Sequence, residues 1–202
     1  MYPGKKQLNL RTLTWGEFTW IDIVEPTKEA TQYLAERYNF HPLDLDDCLS
    51  RRQISKIDAY PDYFFVIFHL PVYDKTTRKS TQKQWSAFVG DKYLVTLRPG
   101  ELKSLEALFR LCELNPKARE ENLSNGSGYL LYRILDRAID SYFPVLNIIT
   151  SRLDDIEDAV FDEEIEVGKE AALLRQDIIT QRRVMFPTRN LFRQLETRLG
   201  RF

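Results

Sequence analysis

The sequence predicts an α/β fold, a mixed sheet flanked by helices, followed by a long antiparallel helical hairpin. Three observations carry this reading. Short apolar runs alternate with stretches of helical spacing through residues 1–122, and Pro and Gly punctuate them. Residues 63–70 are apolar apart from His69, as suits a central strand covered on both faces. Beyond residue 128 the apolar spacing changes to alternating fours and threes, the signature of a helical seam.

Trp20-Ile21-Asp22-Ile23-Val24 is a short strand closed by Glu25-Pro26. Thr27 suits the N-cap of the next helix, which carries Ala30, Tyr33, Leu34 and Tyr38 at helical spacing. Phe40-His41-Pro42 ends that helix and opens another, about 43–49, with Pro42 in its first turn. The 63–70 strand ends at Pro71. Residues 84–89 and 93–98 flank Gly90-Asp91-Lys92 as a hairpin. After Pro99-Gly100, Leu102, Leu105, Leu108, Phe109 and Leu111 mark a helix. The polar, glycine-containing stretch 122–128 divides the chain into an α/β domain, 1–122, and a hairpin, 123–202. Leu135, Ile139, Tyr142, Leu146, Ile149, Leu153, Ile156 and Val160 form the first seam. Ala171, Leu174, Ile178, Gln181, Met185, Thr188, Phe192, Leu195 and Leu199 form the second, and 161–168 is the turn between them. Each arm would be about 50 Å long at 1.5 Å per residue. Pro144 and Pro187 fall inside the arms and should kink them.

Composition excludes several classes. Of 202 residues 43% are apolar, enough for a sizeable core. The 29 basic and 30 acidic residues nearly cancel, so charge gives no reason to expect nucleic acid or an anionic membrane as main partner. Two cysteines, Cys48 and Cys112, make no disulfide framework and suit a reducing compartment. Residues 1–13 lack the apolar core of a signal peptide. No apolar run approaches the roughly 20 residues that span a bilayer. The helical pattern stops at Gly200-Arg201-Phe202 without a cap, so the native polypeptide is expected to continue.

The densest carboxylate group is Asp44, Asp46 and Asp47. Asp44 suits the positive end of its helix. Asp46 and Asp47 are either solvated acids or ligands for a hard divalent cation, which takes carboxylate and water oxygens. His41 is expected to pack or cap, and His69 to sit satisfied in a core strand. No zinc spacing, phosphate-binding glycine loop or serine elbow is present. Charge is segregated on the hairpin. Asp154, Asp155, Glu157, Asp158, Asp162, Glu163, Glu164, Glu166 and Glu170 gather at its tip, and Arg182, Arg183, Arg189, Arg193, Arg198 and Arg201 towards the end. Two readings stay open: a solvated helical pair, or an acidic tip that attracts cations with a basic end near an anionic surface.

An ordered series of short motifs resembles the CorA family of divalent-cation transport proteins. It runs Trp20-Ile21-Asp22-Ile23, Phe40-His41-Pro42-Leu43, Asp46-Asp47-Cys48-Leu49, Lys56-Ile57-Asp58 and Asp62-Tyr63-Phe64-Phe65-Val66. It continues through His69-Leu70-Pro71, Tyr93-Leu94-Val95-Thr96, Leu130-Leu131-Tyr132, Leu135-Asp136 and Asp140-Ser141-Tyr142-Phe143-Pro144. It closes with Leu153-Asp154, Glu157, Val160-Phe161, Leu174-Arg175 and Arg182-Arg183. No one motif is strong; their order is specific. This chain departs from the family with Ile54-Ser55 before Lys56 where Arg-Pro is common, and with Asp46 where Glu is usual. The family's two transmembrane helices and the Gly-Met-Asn motif between them are absent from these residues.

The resemblance implies the cytoplasmic domain of a homopentameric Mg²⁺ channel of the inner membrane, with Co²⁺ as a second cargo. It implies a regulatory Mg²⁺ between neighbouring subunits. Asp47 matches the main regulatory aspartate, Asp46 and Asp136 a second site, and the partner carboxylate lies on a stalk helix beyond Phe202. Asp154, Asp155, Glu157 and Asp158 would raise the local cation concentration. Three alternatives remain: a zinc transporter of the same superfamily, a soluble interaction module using the hairpin, and, ranked last, a Mg²⁺-dependent enzyme built on Asp44, Asp46 and Asp47.

Overall fold

The protein is represented by a computed structural model describing residues 8–50, 53–74, 76–77, 79–100, 102–160 and 167–197. Six strands form one sheet: β1 (Leu10–Trp15), β2 (Phe18–Val24), β3 (Lys56–Ala59), β4 (Tyr63–Asp74), β5 (Lys79–Gly90) and β6 (Tyr93–Arg98). Their order is β1-β2-β6-β5-β4-β3. Neighbours are antiparallel except β2 and β6, which run parallel. The helices are α1 (Lys28–Arg37), α2 (Pro42–Leu49), α3 (Lys103–Leu114), α4 (Pro116–Leu123), α5 (Gly126–Asp140), α6 (Phe143–Val160) and α7 (Val167–Glu196). The expected mixed sheet with flanking helices and a long terminal hairpin is what forms.

Strand β4 explains the two-sided core. Successive side chains point to opposite faces. Phe64, Val66, Phe68 and Leu70 therefore join Trp20, Trp85, Leu108, Phe109, Leu131 and Leu191 in one cluster beneath α3, α5 and α7. Phe65 and Ile67 join Leu34, Phe40, Leu45 and Cys48 in a second cluster beneath α1 and α2. Two turns set the sheet's registers. Gly16, with φ +56°, opens the two-residue loop that pairs Trp15 with Phe18. At the β5–β6 turn the Tyr93 ring lies over Gly90, where an added Cβ would come within 2.4 Å of it.

The sequence pattern underestimated some elements. Edge strands β1 and β3 each have mostly half-exposed or exposed residues, so no apolar run marked them. Helix α4 buries only Ala118, Asn122 and Leu123, too little for an apolar stripe. Its start is a cap that the sequence reading passed over: Asn115 accepts from Lys117 and Ala118 N–H at 3.0 and 3.2 Å, ahead of Pro116. The 122/123 division falls in the last turn of α4. Beyond it, α5 packs on the sheet through Leu130, Leu131, Ile134 and Leu135.

The hairpin differs from expectation at three points. Its first arm is not one helix, because α5 ends at Asp140 and Pro144 opens α6 rather than kinking it. At 18 residues α6 is about 27 Å long, whereas the 30-residue α7 reaches about 45 Å. Pro187 does lie inside α7. The seam of α7 keeps Leu174, Gln181, Thr188 and Leu195 of the expected series, but Asp177, Val184 and Leu191 are buried where Ile178, Met185 and Phe192 were expected, and Phe192 is only partly buried against the core. Of the expected turn 161–168, residues 161–166 lie outside the described residues, and Val167 and Gly168 fall in the first turn of α7.

One charged network ties β1, β2 and β6 to α3. Arg98 and Asp22, both essentially unexposed, pair at 3.0 Å, and Arg98 also pairs with Glu106. Arg11 reaches Asp22 at 2.8 Å and Glu106 at 2.6 Å. The Arg11 hydrogen bond does most to hold the Glu106 carboxyl below the usual carboxylate range; burial opposes it, and Arg98 adds to the lowering. A carboxyl whose folded pKa is depressed stabilises the fold above its unfolded pKa, about 4.3, and loses that contribution as pH falls through the folded value. Glu106→Gln should therefore lower the urea midpoint at pH 7, and its deficit against the parent should shrink as pH falls below about 4.3. A deficit that stays constant as pH falls would count against this role.

Candidate metal centre

The site residues sit on α2 and are aimed by its two ends. His41 caps the helix, its Nδ1 accepting from Leu43 N–H at 3.3 Å, and Pro42 occupies the first turn. Tyr63 Oη accepts from His41 N–H at 2.8 Å and donates to Asp44 Oδ2 at 3.4 Å. Asp44 is buried in that first turn. Burial pushes its carboxyl up, and the Tyr60 hydroxyl opposes the shift. At the other end, Gln84 on β5 donates to the carbonyls of Asp47 and Ser50 at 3.2 and 2.8 Å. Leu45 and Cys48 pack into the second core cluster. Burial pushes the Cys48 thiol up to about 12, so it is no thiolate ligand at neutral pH.

With Leu45 and Cys48 facing inward, Asp46 points to solvent and Asp47 lies at the boundary, its side chain 18% exposed. Asp47 Oδ1 accepts from Gln53 Nε2 at 2.7 Å, and Asp47 Oδ2 pairs with Lys56 Nζ at 2.7 Å. The same ammonium reaches Asp58 Oδ2 at 2.6 Å. Lys56 and Asp58 are two apart on β3, opposite Ile67 and Phe65, and so face α2. Burial alone would lower the Lys56 pKa; the Asp47 and Asp58 carboxylates outweigh it and raise the pKa.

Asp136 is half-buried on α5, whose apolar face belongs to the first cluster. Within one chain the sheet therefore separates Asp136 from Asp46 and Asp47. Asp46 and Asp136 make no side-chain hydrogen bond or ion pair with a described residue. Among the described residues no three His, Cys, Asp or Glu side chains converge to hold a metal. Asp154, Asp155, Glu157 and Asp158 are exposed on α6, while Asp162, Glu163, Glu164 and Glu166 lie outside the described residues. Arg182, Arg183, Arg189 and Arg193 are exposed on α7; Arg198 and Arg201 lie outside the described residues. His69 Nδ1 meets Ser55 Oγ at 3.0 Å, Nε2 has no well-formed hydrogen bond among the described residues, and burial lowers its pKa against an opposing effect of Gln84. Sequence reasoning gave Lys56 and Gln53 no role. The alternation Lys56-Ile57-Asp58 placed both charges on one strand face, but nothing local showed that α2 would lie over it.

A six-stranded mixed sheet with helices on both faces and a long terminal hairpin is the fold of CorA soluble domains. The soluble domain of CorA from Methanocaldococcus jannaschii superposes with a TM-score of 0.72 at 22% identity, covering 86% of this chain and 68% of that one. The chain belongs to the CorA-like Mg²⁺ transporter protein family, whose model matches residues 15–201. The family is one of transporters, not enzymes. The chain is 31% identical over 177 residues to the "Putative metal ion transporter YfjQ" of Bacillus subtilis, covering 85% of this chain and 52% of that protein. It is 24% identical over 179 residues to the "Cobalt/magnesium transport protein CorA" of Thermotoga maritima, covering 88% and 50%. The chain thus spans about half the length of these curated relatives. Among the described residues no helix is long and apolar enough to cross a membrane.

Proposed function

We propose that this chain is the cytoplasmic, Mg²⁺-sensing part of a homopentameric inner-membrane cation channel, and that Asp47 is its principal sensing residue. The observation that carries the reading is the Asp47 carboxylate, partly buried, pinned by Gln53 and already holding a cation, the Lys56 ammonium. Its donor set is hard oxygen, which suits Mg²⁺ better than a soft metal. Asp46 and Asp136 are the second pair. The sheet keeps them apart within a chain, which agrees with sites completed between subunits.

The physics follows from carboxylates brought face to face at a subunit boundary. Two such groups about 4 Å apart repel by roughly 4 kcal/mol at an effective dielectric near 20. A shared hydrated Mg²⁺ supplies the charge that cancels this repulsion. With the sites filled, the subunits hold a symmetric closed arrangement; with them empty, repulsion loosens it. Such a ligand acts only through its different affinity for the two arrangements. The exposed Asp154, Asp155, Glu157 and Asp158 would concentrate cations nearby. Mg²⁺ is the proposed cargo, with Co²⁺ second.

Asp47→Asn in the full-length protein should raise the internal Mg²⁺ concentration that halves uptake by about tenfold, one charge at close range. A flux assay in which that concentration is unchanged removes Asp47 from the sensor. The same assay with Zn²⁺ tests the zinc alternative, since preferred Zn²⁺ uptake would replace Mg²⁺ as cargo.

A further inference from the structure

We propose that Lys56 is the resident counter-cation of the Asp47 site and sets how much divalent cation is needed to fill it. The inference rests on the reading of Asp47 as the sensor. Each Asp47 oxygen already has a donor at 2.7 Å, Gln53 Nε2 on one and Lys56 Nζ on the other. Each oxygen keeps a second lone pair, but a cation arriving there meets the ammonium's like charge, so filling the site is favoured when the ammonium gives way. The exchange strands no charge, because Asp58 Oδ2 keeps the ammonium at 2.6 Å from the other side. Lys56 thus has two carboxylates, and moving fully to the second clears the first.

This arrangement discriminates by charge. A tethered ammonium is present at a high effective concentration, so a free monovalent ion competes poorly with it. A divalent ion interacts twice as strongly with the same carboxylate and can win. Lys56 would therefore keep Asp47 closed to potassium and raise the threshold for Mg²⁺. Lys56 Nζ also lies 5.8 Å from the centre of the Phe65 ring, a further weak attraction that helps hold the ammonium between the two carboxylates.

The test uses full-length protein and MgCl₂ at constant ionic strength held with KCl, reading the Mg²⁺ midpoint for protection from protease. Lys56→Met keeps the stem and removes the charge; its midpoint should fall three- to tenfold, and KCl should begin to mimic protection. Lys56→Arg keeps the charge and should stay within about threefold of the parent. Lys56→Gln keeps a donor to Asp47 without the charge, and should match Lys56→Met if the charge is what matters. Melting temperatures without Mg²⁺ identify any variant that is merely unfolded. If Asp47→Asn raises the Mg²⁺ midpoint by about tenfold or more while both neutral Lys56 variants keep the parent midpoint, the counter-cation role is overturned and the sensor stands. If Asp47→Asn changes nothing, the sensor reading fails and takes this inference with it.

Discussion

Arg98→Met should destabilise the fold by about 3–5 kcal/mol, the usual cost of removing one partner from a buried ion pair. Arg98 is 1% exposed and Asp22 is not exposed at all. Asp22 also accepts from Thr96 Oγ1 at 2.9 Å, and Trp20 Nε1 donates to the same hydroxyl at 3.1 Å. Arg98 therefore ends a polar chain running through the parallel β2–β6 pair to Glu106 on α3. Without it, the Arg11 guanidinium must serve both carboxylates, from a side chain that is 30% exposed. Against a domain stability of about 5–15 kcal/mol the loss is large. It should appear as a fall in melting temperature of about 10 °C or more. Replacing Asp22 by Leu in the same chain should return part of it, because no charge then stays buried alone. A single-variant loss under about 1 kcal/mol would mean that Arg11 moves in to neutralise Asp22 unaided.

How much of this was legible in the sequence depends on where each residue's partners lie. The β4 run, the Thr27 and His41 caps and the Gly90 turn are local signals and placed their elements, but β4 does not end at Pro71: it runs on to Asp74, with Pro71 opposite Gln82, and β5 starts at Lys79 rather than 84. Thr27 accepts from Ala30 N–H at 3.4 Å, as a cap should. β1 and β3 were not legible because an edge strand needs little apolar surface, and their pairing depends on β2 and β4. The Asp46-Asp47 pair was visible as acids, but solvated acids and ligands look alike in one dimension. Resemblance, not spacing, singled out Asp47. Its pairing with Lys56 depends on β3 lying antiparallel to β4 with α2 packed above, a juxtaposition no window of sequence contains. The sheet that separates Asp136 from Asp47 is likewise a fact of topology alone.

Asp177→Leu should weaken the docking of α7 by about 3 kcal/mol, for the same electrostatic reason acting at a different place. Apolar periodicity put Ile178 in the seam, yet Ile178 and Ile179 are 44% and 42% exposed, while Asp177 is 5% exposed. Three polar contacts turn the helix. Arg152 Nη1 on α6 meets Asp177 Oδ2 at 2.5 Å, Ser80 N–H on β5 donates to Asp177 Oδ1 at 3.0 Å, and Gln181 Nε2 donates to Ser80 Oγ at 2.7 Å. Thr188 Oγ1 continues the row onto the His69 carbonyl of β4 at 3.3 Å. Deleting the carboxylate leaves the Arg152 charge buried, with Glu170 at 3.7 Å as its remaining ion-pair partner among the described residues, and leaves a strand N–H without its acceptor. Hydrogen exchange should quicken at Ser80 and along the first half of α7. Protection near Leu191 and Leu195, which are sunk in the main core, should persist. Arg152→Leu combined with Asp177→Leu should recover most of the loss, and Ile178→Ser alone should cost under about 0.5 kcal/mol, as exposed substitutions do. The opposite ranking, with Ile178 the costlier residue, would mean that the apolar period after all sets the buried face. In the arrangement described, charge pairing overrides apolar periodicity in α7 and fastens the hairpin to the sheet by its middle, leaving the exposed acids of α6 clear of that anchorage.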